Sequence, residues 1–377
     1  MFELAEHTLF LTLAGSQAHG TARATSDVDL RGVCVAPLSV RASLVHEFEQ
    51  HEGPVPDALW RLASPRLRSR LDLAEGALPR SESVVFDIAK FLKLCASANP
   101  NALEILFADE RDWLFETPAW RRLHAERAQF LTRKVEQTFL GYAMAQLKRI
   151  KTHRAWLLSP PERKPARADY GLPEAGTLSA DDQHRLEQSL ADKLRSYGID
   201  DIEMPKAARI AVEERLRRFW FDHLSVTEEE LDERLRAVAS ASLELAPEVV
   251  STLNAERRYL AAMKQWESYE TWKHERKPDR AELERRHGYD TKHAMHLVRL
   301  MRMGLEVLES GNLLVRRPDA EELVAIRDGK LSYDALLETA SELQARMKTA
   351  VGTCALPADV NYERVDALAL EVIRETA

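Results

Sequence analysis

The apolar residues of this chain follow two rhythms. Near the N-terminus they come as short runs rich in strand formers, Thr8-Leu9-Phe10-Leu11-Thr12-Leu13-Ala14 and Val28-Asp29-Leu30-Arg31-Gly32-Val33-Cys34-Val35. These predict two strands joined by a loop. A third strand is predicted over Ser81-Glu82-Ser83-Val84-Val85-Phe86. It leads into a helix, Ile88 to Ser97, with Asp87 as its N-cap and Ile88, Phe91, Leu92 and Cys95 on one buried stripe. Asn99-Pro100 breaks that helix, and Asn99 or Asn101 caps the next, which carries Leu103, Ile105, Leu106 and Phe107. Residues 36–80 are interrupted by Pro37, Pro54, Pro56, Pro65 and Pro79. A weak alternation over His46 to His51 suggests a strand there. The basic stretch Arg61 to Arg70 reads as a solvated surface loop.

From Lys134 onward the spacing becomes helical. Phe139, Ala143, Leu147 and Ile150 lie on one face, Tyr142, Gln146 and Arg149 on a neighbouring one, and Lys148 to Arg154 make a basic end. Residues 158–175 are proline-rich and read as a linker or an ordered loop. Residues 178–258 predict three or more helices, with Phe219-Trp220-Phe221 as an aromatic core node. Asp290 caps a helix running to about Ser310, where Gly311 ends it. Two further helices follow, over 319–329 and 332–349.

Composition narrows the field. A chain of 377 residues can bury a large core in two or three domains. Its 45% hydrophobic and 30% charged residues are ordinary for a soluble protein. The N-terminal MFELAEHTLF lacks the basic region of a signal peptide, and no apolar stretch approaches the ~20 residues of a membrane span. Cys34, Cys95 and Cys354 are far apart and predict neither a disulfide framework nor a metal cluster. A cytoplasmic location is expected. The net charge of -8 means that any nucleic acid must meet a local basic patch.

The chemistry concentrates between the first two strands. Gly15 and Ser16 end the first, where a glycine allows close backbone approach and the hydroxyl and nearby N–H groups can hold phosphate oxygens. Asp27 and Asp29, two apart, project from one face of the second strand. Such carboxylates repel unless a cation lies between them, and hard oxygen ligands suit Mg²⁺ or Mn²⁺. Farther on, Lys292, His296 and Arg299 share one face of the predicted helix, opposite Ala294, Leu297, Val298, Met301 and Leu305. That face suits a triphosphate or a nucleic-acid backbone, and a solvated helix face is the plainer alternative. His293 and His296, with no third partner at ligand spacing, give only a weak zinc signal.

A Gly-Ser followed by an Asp-x-Asp strand resembles the DNA polymerase β superfamily of nucleotidyltransferases. The narrower pattern resembles its RNA-repair-pathway branch. Gly15, Ser16, Gly20, Thr21, Ser26, Asp27, Asp29, Arg31 and Gly32 carry it first. Lys90, Phe91, Leu92, Asn99, Pro100, Asn101 and Glu104 follow, and then the GYDxKHAxHLxR element of residues 288–299. Two positions depart from the pattern: His19 replaces an aromatic residue, and Glu82 stands where the family usually has Asp.

The resemblance implies an α/β (α+β) architecture. A nucleotidyltransferase domain over residues 1–120 is followed by a mostly helical domain over 121–377, with the active site in the cleft between them. It implies two Mg²⁺ or Mn²⁺ ions held by Asp27, Asp29 and a third carboxylate, taken as Glu82 with Asp87 as the alternative. It places a nucleoside triphosphate against Gly15, Ser16 and Lys292, and the shared helix face adds His296 and Arg299 as nucleotide-binding candidates. The acceptor it implies is an RNA end, tRNA-like. A protein or small-molecule acceptor and a non-catalytic nucleotide-binding module are the rival readings.

Overall fold

The computed structural model describes residues 2–23, 26–72, 81–174, 180–196, 210, 212, 214–215, 247–276 and 278–376. The chain forms two compact units, residues 1–158 with 278–377, and residues 159–277.

The first unit is built on a five-stranded sheet in the order β3-β4-β2-β1-β5. Its strands are β1 (Thr8–Ala14), β2 (Val28–Cys34), β3 (Gln50–Pro54), β4 (Ser81–Asp87) and β5 (Trp113–Glu116). Only β2 and β4 run parallel. β1 and β2 match the two apolar runs. The stretch between them is not all loop, because Gly15–His19 forms a short helix, α1. The third expected strand also forms, as β4. The weak alternation at 46–51 gives way to β3 four residues later. There, pairing with β4 sets the register, Gln50 opposite Phe86 and Pro54 opposite Glu82.

Each face of the sheet is covered. On one, Leu11, Leu13, Val28, Leu30, Val85 and Leu114 pack with Leu59, Ala63 and Leu67. The last three lie on α3 (Asp57–Leu71), which follows the short α2 (Leu38–Arg41). The expected basic loop at 61–70 is therefore helix. Pro65 removes one helical hydrogen bond, but a buried stripe at four-residue spacing outweighs it. Arg66 pairs with Glu116 and Arg70 with Asp112, so these cations are structural.

The opposite face carries Phe10 and Val33 into the main core. α4 (Ile88–Ala96), α5 (Pro100–Leu106), α6 (Pro118–Ala125) and α7 (Lys134–Leu158) follow in order. Asp87 caps α4 and Asn99 caps α5. Phe139, Ala143, Leu147 and Ile150 of α7 are buried as a stripe.

The second unit contains a 3-10 turn at Arg167–Tyr170, α8 (Ala180–Ser196) and α9 (Pro247–Glu275). Arg167 grips Glu256 with two nitrogens, at 2.8 and 2.7 Å, and lies over the Tyr259 ring. The expected Phe219-Trp220-Phe221 node lies outside the described residues. The chain returns to the first unit through α10 (Pro278–His287) and α11 (Thr291–Ser310), and then α12 (Ala320–Arg327), α13 (Tyr333–Thr353) and α14 (Tyr362–Thr376). Asp290 caps α11 through the amide of His293, and Gly311, at φ +66°, ends it. α11 lies close to α7 and α13. At Gly304 a Cβ would come within 2.9 Å of Phe139 Cβ and 2.7 Å of Met347 Cε.

Candidate active site

The sheet register assembles the acidic residues. Ala14 on β1 pairs with Asp29 on β2, and Asp29 pairs with Glu82 on β4. Residues directly opposite in a sheet share a face, so the Asp29 and Glu82 side chains stand beside each other. Asp27 lies just before β2 and is exposed. Burial holds the Asp29 carboxyl above its ordinary range. The Glu82 and Asp27 carboxylates push it further up, against the pull of Arg31 and Lys292. Burial is thus the main cause of the shift, and the neighbouring carboxylates form an oxygen-only donor set that fits a hard divalent ion. Gly15, at φ +59°, lies against this carboxylate, and a Cβ there would collide with Asp29 Oδ2.

Asp87 is engaged elsewhere. One of its oxygens accepts from the Ala89 amide at 3.0 Å and the other from the Ala36 amide at 3.1 Å. It sits at the far end of β4, about 17 Å along the strand from Glu82.

A cavity of about 370 Å³ opens on the same face of the sheet. Its floor is Thr12, Ala14, Arg31, Val84, Phe86, Gln50 and Glu52, and Gly15, Asn101, Glu104, His296 and Arg299 also line it. Arg31, which carries no role in the sequence pattern above, lines this cavity and acts on Asp29. Its signal was present, since position 31 is two residues beyond Asp29 and alternation puts both on one face.

α11 supplies the cations, though not as a uniform solvated face. Lys292, in its first turn, is exposed and acts on Asp29. His296 is half-buried, and desolvation of its imidazole, helped by the charges of Arg299 and Lys292, holds it well below its ordinary value. Arg299 is buried, contrary to the expectation of an open face. It pairs with Glu104 of α5, and its Nη1 lies 3.0 Å from His19 Nε2 and 3.1 Å from Met303 Sδ. Glu104 Oε2 lies 3.0 Å from the same His19 nitrogen. Burial opposes charge on Glu104, but Arg299 and His19 outweigh it and hold the carboxyl far below the ordinary range. Spacing gave no warning of this His19–Glu104–Arg299 cluster, because its members come from α1, α5 and α11. The substitution of His19 for an aromatic residue was the one visible trace.

Among the described residues, one group of three potential ligand atoms converges within 4.8 Å, and it is His153, Asp290 and His293 rather than the carboxylates above. His296 is not part of it.

No curated protein and no solved structure matches the chain. Residues 3–157, which carry the whole sheet with Gly15, Ser16, Asp27, Asp29 and Glu82 but not α11, match the model of RlaP, the RNA repair pathway DNA polymerase beta family.

Proposed function

We propose that the protein is a metal-dependent nucleotidyltransferase that moves a nucleoside monophosphate from a triphosphate onto a hydroxyl of an RNA end. The observation that carries this reading is the pairing of Asp29 with Glu82 in adjacent strands, with the charges of Asp27 and Lys292 acting on Asp29. The family match over residues 3–157 supports the same chemistry at the level of a polymerase-β-like nucleotidyltransferase in RNA repair.

In this reading Asp27, Asp29 and Glu82 would hold two Mg²⁺ or Mn²⁺ ions, which when bound would supply Lewis acidity toward the phosphates and lower the pKa of the attacking hydroxyl. Gly15 and Ser16 seat the triphosphate close to Asp29, and Lys292 offsets its charge from the α11 side. His296 and Arg299 line the cavity beside them and shape the nucleotide pocket. The acceptor oxygen bonds to the α-phosphorus, the bond from that phosphorus to the bridging oxygen breaks, and pyrophosphate leaves. The hydroxyl proton passes to Glu82.

The test supplies each labelled nucleoside triphosphate with Mg²⁺ to a pool of structured RNAs, using the wild type and an Asp27→Ala/Asp29→Ala variant. Label is expected in RNA with the wild type, and at least about 1,000-fold less with the variant. Label on protein instead of RNA would transfer the reading to protein modification. Binding of Mg²⁺-triphosphate without transfer to any acceptor would leave a nucleotide-binding module. An RNA acceptor also predicts that binding weakens steeply as salt rises, which a protein acceptor does not.

A further inference from the structure

A second cluster, built of softer ligands, joins α7 to the start of α11. Asp290 Oδ2 lies 3.4 Å from His153 Nδ1 and 3.6 Å from His293 Nε2. Both separations exceed the 2.7–3.2 Å of a good N–H···O bond. They resemble the edge of a tetrahedron around an ion with bonds of 2.0–2.1 Å, which is about 3.4 Å. The three atoms lie within 4.8 Å of one another. The carboxylate is oriented from both sides, with Oδ1 accepting the His293 amide at 3.0 Å and Oδ2 touched by Arg280. Arg280 is itself shared with Glu284, whose carboxylate is buried 3.4 Å away, so one guanidinium serves two acidic side chains.

We propose that His153, Asp290 and His293 form a binding site for a zinc-class divalent ion, with a fourth position open. Two imidazoles and one carboxylate favour zinc, cobalt or nickel over magnesium, which prefers oxygen. The site is thus chemically distinct from Asp27, Asp29 and Glu82. Its ligands come from α7, the N-cap of α11 and the first turn of α11, so a bound ion would pin the start of α11 to α7. Lys292 lies in sequence between two of the ligands. Arg280 is the competing cation, and its removal should favour the metal.

The test strips the full-length protein with a chelator and titrates it with Zn²⁺, and with Co²⁺ as the spectroscopic probe. One equivalent of Zn²⁺ should bind and raise the melting temperature, and Co²⁺ should show the intense visible bands of tetrahedral coordination. His153→Ala and His293→Ala should each weaken Zn²⁺ by at least about 100-fold. Asp29→Asn should leave it unchanged, and Arg280→Gln should tighten it. A purely structural ion-pair network predicts that Arg280→Gln destabilises the fold with no gain in metal affinity. The proposal is overturned if no zinc binds, or if zinc is lost in Asp29→Asn and kept in both histidine variants. Should an alanine variant fail to fold, His153→Gln and His293→Gln with the cobalt spectrum make the same distinction.

Discussion

At the scale of single residues, the site turns on how near the backbone comes to one carboxylate. Gly15 adopts φ +59° beside Asp29, where any side chain would be strained and would strike Oδ2. Gly15→Ala should therefore cost about 1–2 kcal/mol of stability in urea unfolding. Transfer activity should fall by about 100-fold or more, because a displaced Asp29 loses its working position. Full activity in the folded variant would mean that the close approach serves the fold alone. The glycine and the aspartate were both legible in sequence, as a Gly-Ser and an Asp-x-Asp. That they touch was not, because contact depends on the antiparallel turn-back of β2 onto β1.

At the scale of elements, α11 is held by a buried ion pair and by close packing. Arg299 pairs with Glu104 across the gap to α5, and breaking such a buried pair leaves one charge without its partner. Glu104→Gln should lower the unfolding free energy by about 3 kcal/mol with or without nucleotide. A loss seen only when nucleotide is present would instead make Arg299 chiefly a ligand contact. Gly304 tests the packing. Alanine gains helix propensity there, yet its methyl meets Phe139 Cβ, which belongs to the backbone end of its side chain and cannot swing away. Gly304→Ala should cost about 1–3 kcal/mol in the same assay. An unchanged or raised stability would show that α7 and α11 can part cheaply.

For the whole molecule, acid should act first through histidines whose protonation burial opposes. Burial is the main cause holding His124 down to about 4, with Arg127 and Arg121 adding to it, and the same cause lowers His19. A folded pKa below the unfolded value of about 6.5 means that the unfolded chain takes up the proton first. Stability should therefore fall as pH drops from about 6.5 toward 4. Glu104 and Asp290, both held below the carboxylate range, keep their charge through that window. Urea midpoints measured across it should show the decline, and His124→Gln should remove up to about one proton from the slope. An unaltered slope in that variant would rule out His124 as a contributor. Among the described residues no helix is long and apolar enough to cross a membrane.

The sequence by itself determined what depends on local spacing. It determined β1, β2 and β4, the caps at Asp87, Asn99 and Asp290, the buried stripe of α7, and the pairing of a glycine-serine corner with two alternate aspartates. Each follows from a period of two or 3.6 residues, or from a capping side chain within one turn. Tertiary structure decided what depends on partners distant in the chain. It placed β3 at Gln50 by offering β4 as its partner, and made α3 a helix across Pro65 by burying Leu59, Ala63 and Leu67. It set Glu82 beside Asp29 while leaving Asp87 as a cap. It turned Arg299 inward to Glu104, and it brought His153 to Asp290 and His293. No spacing rule reaches across such separations, because side chains this far apart meet only when the whole core has formed.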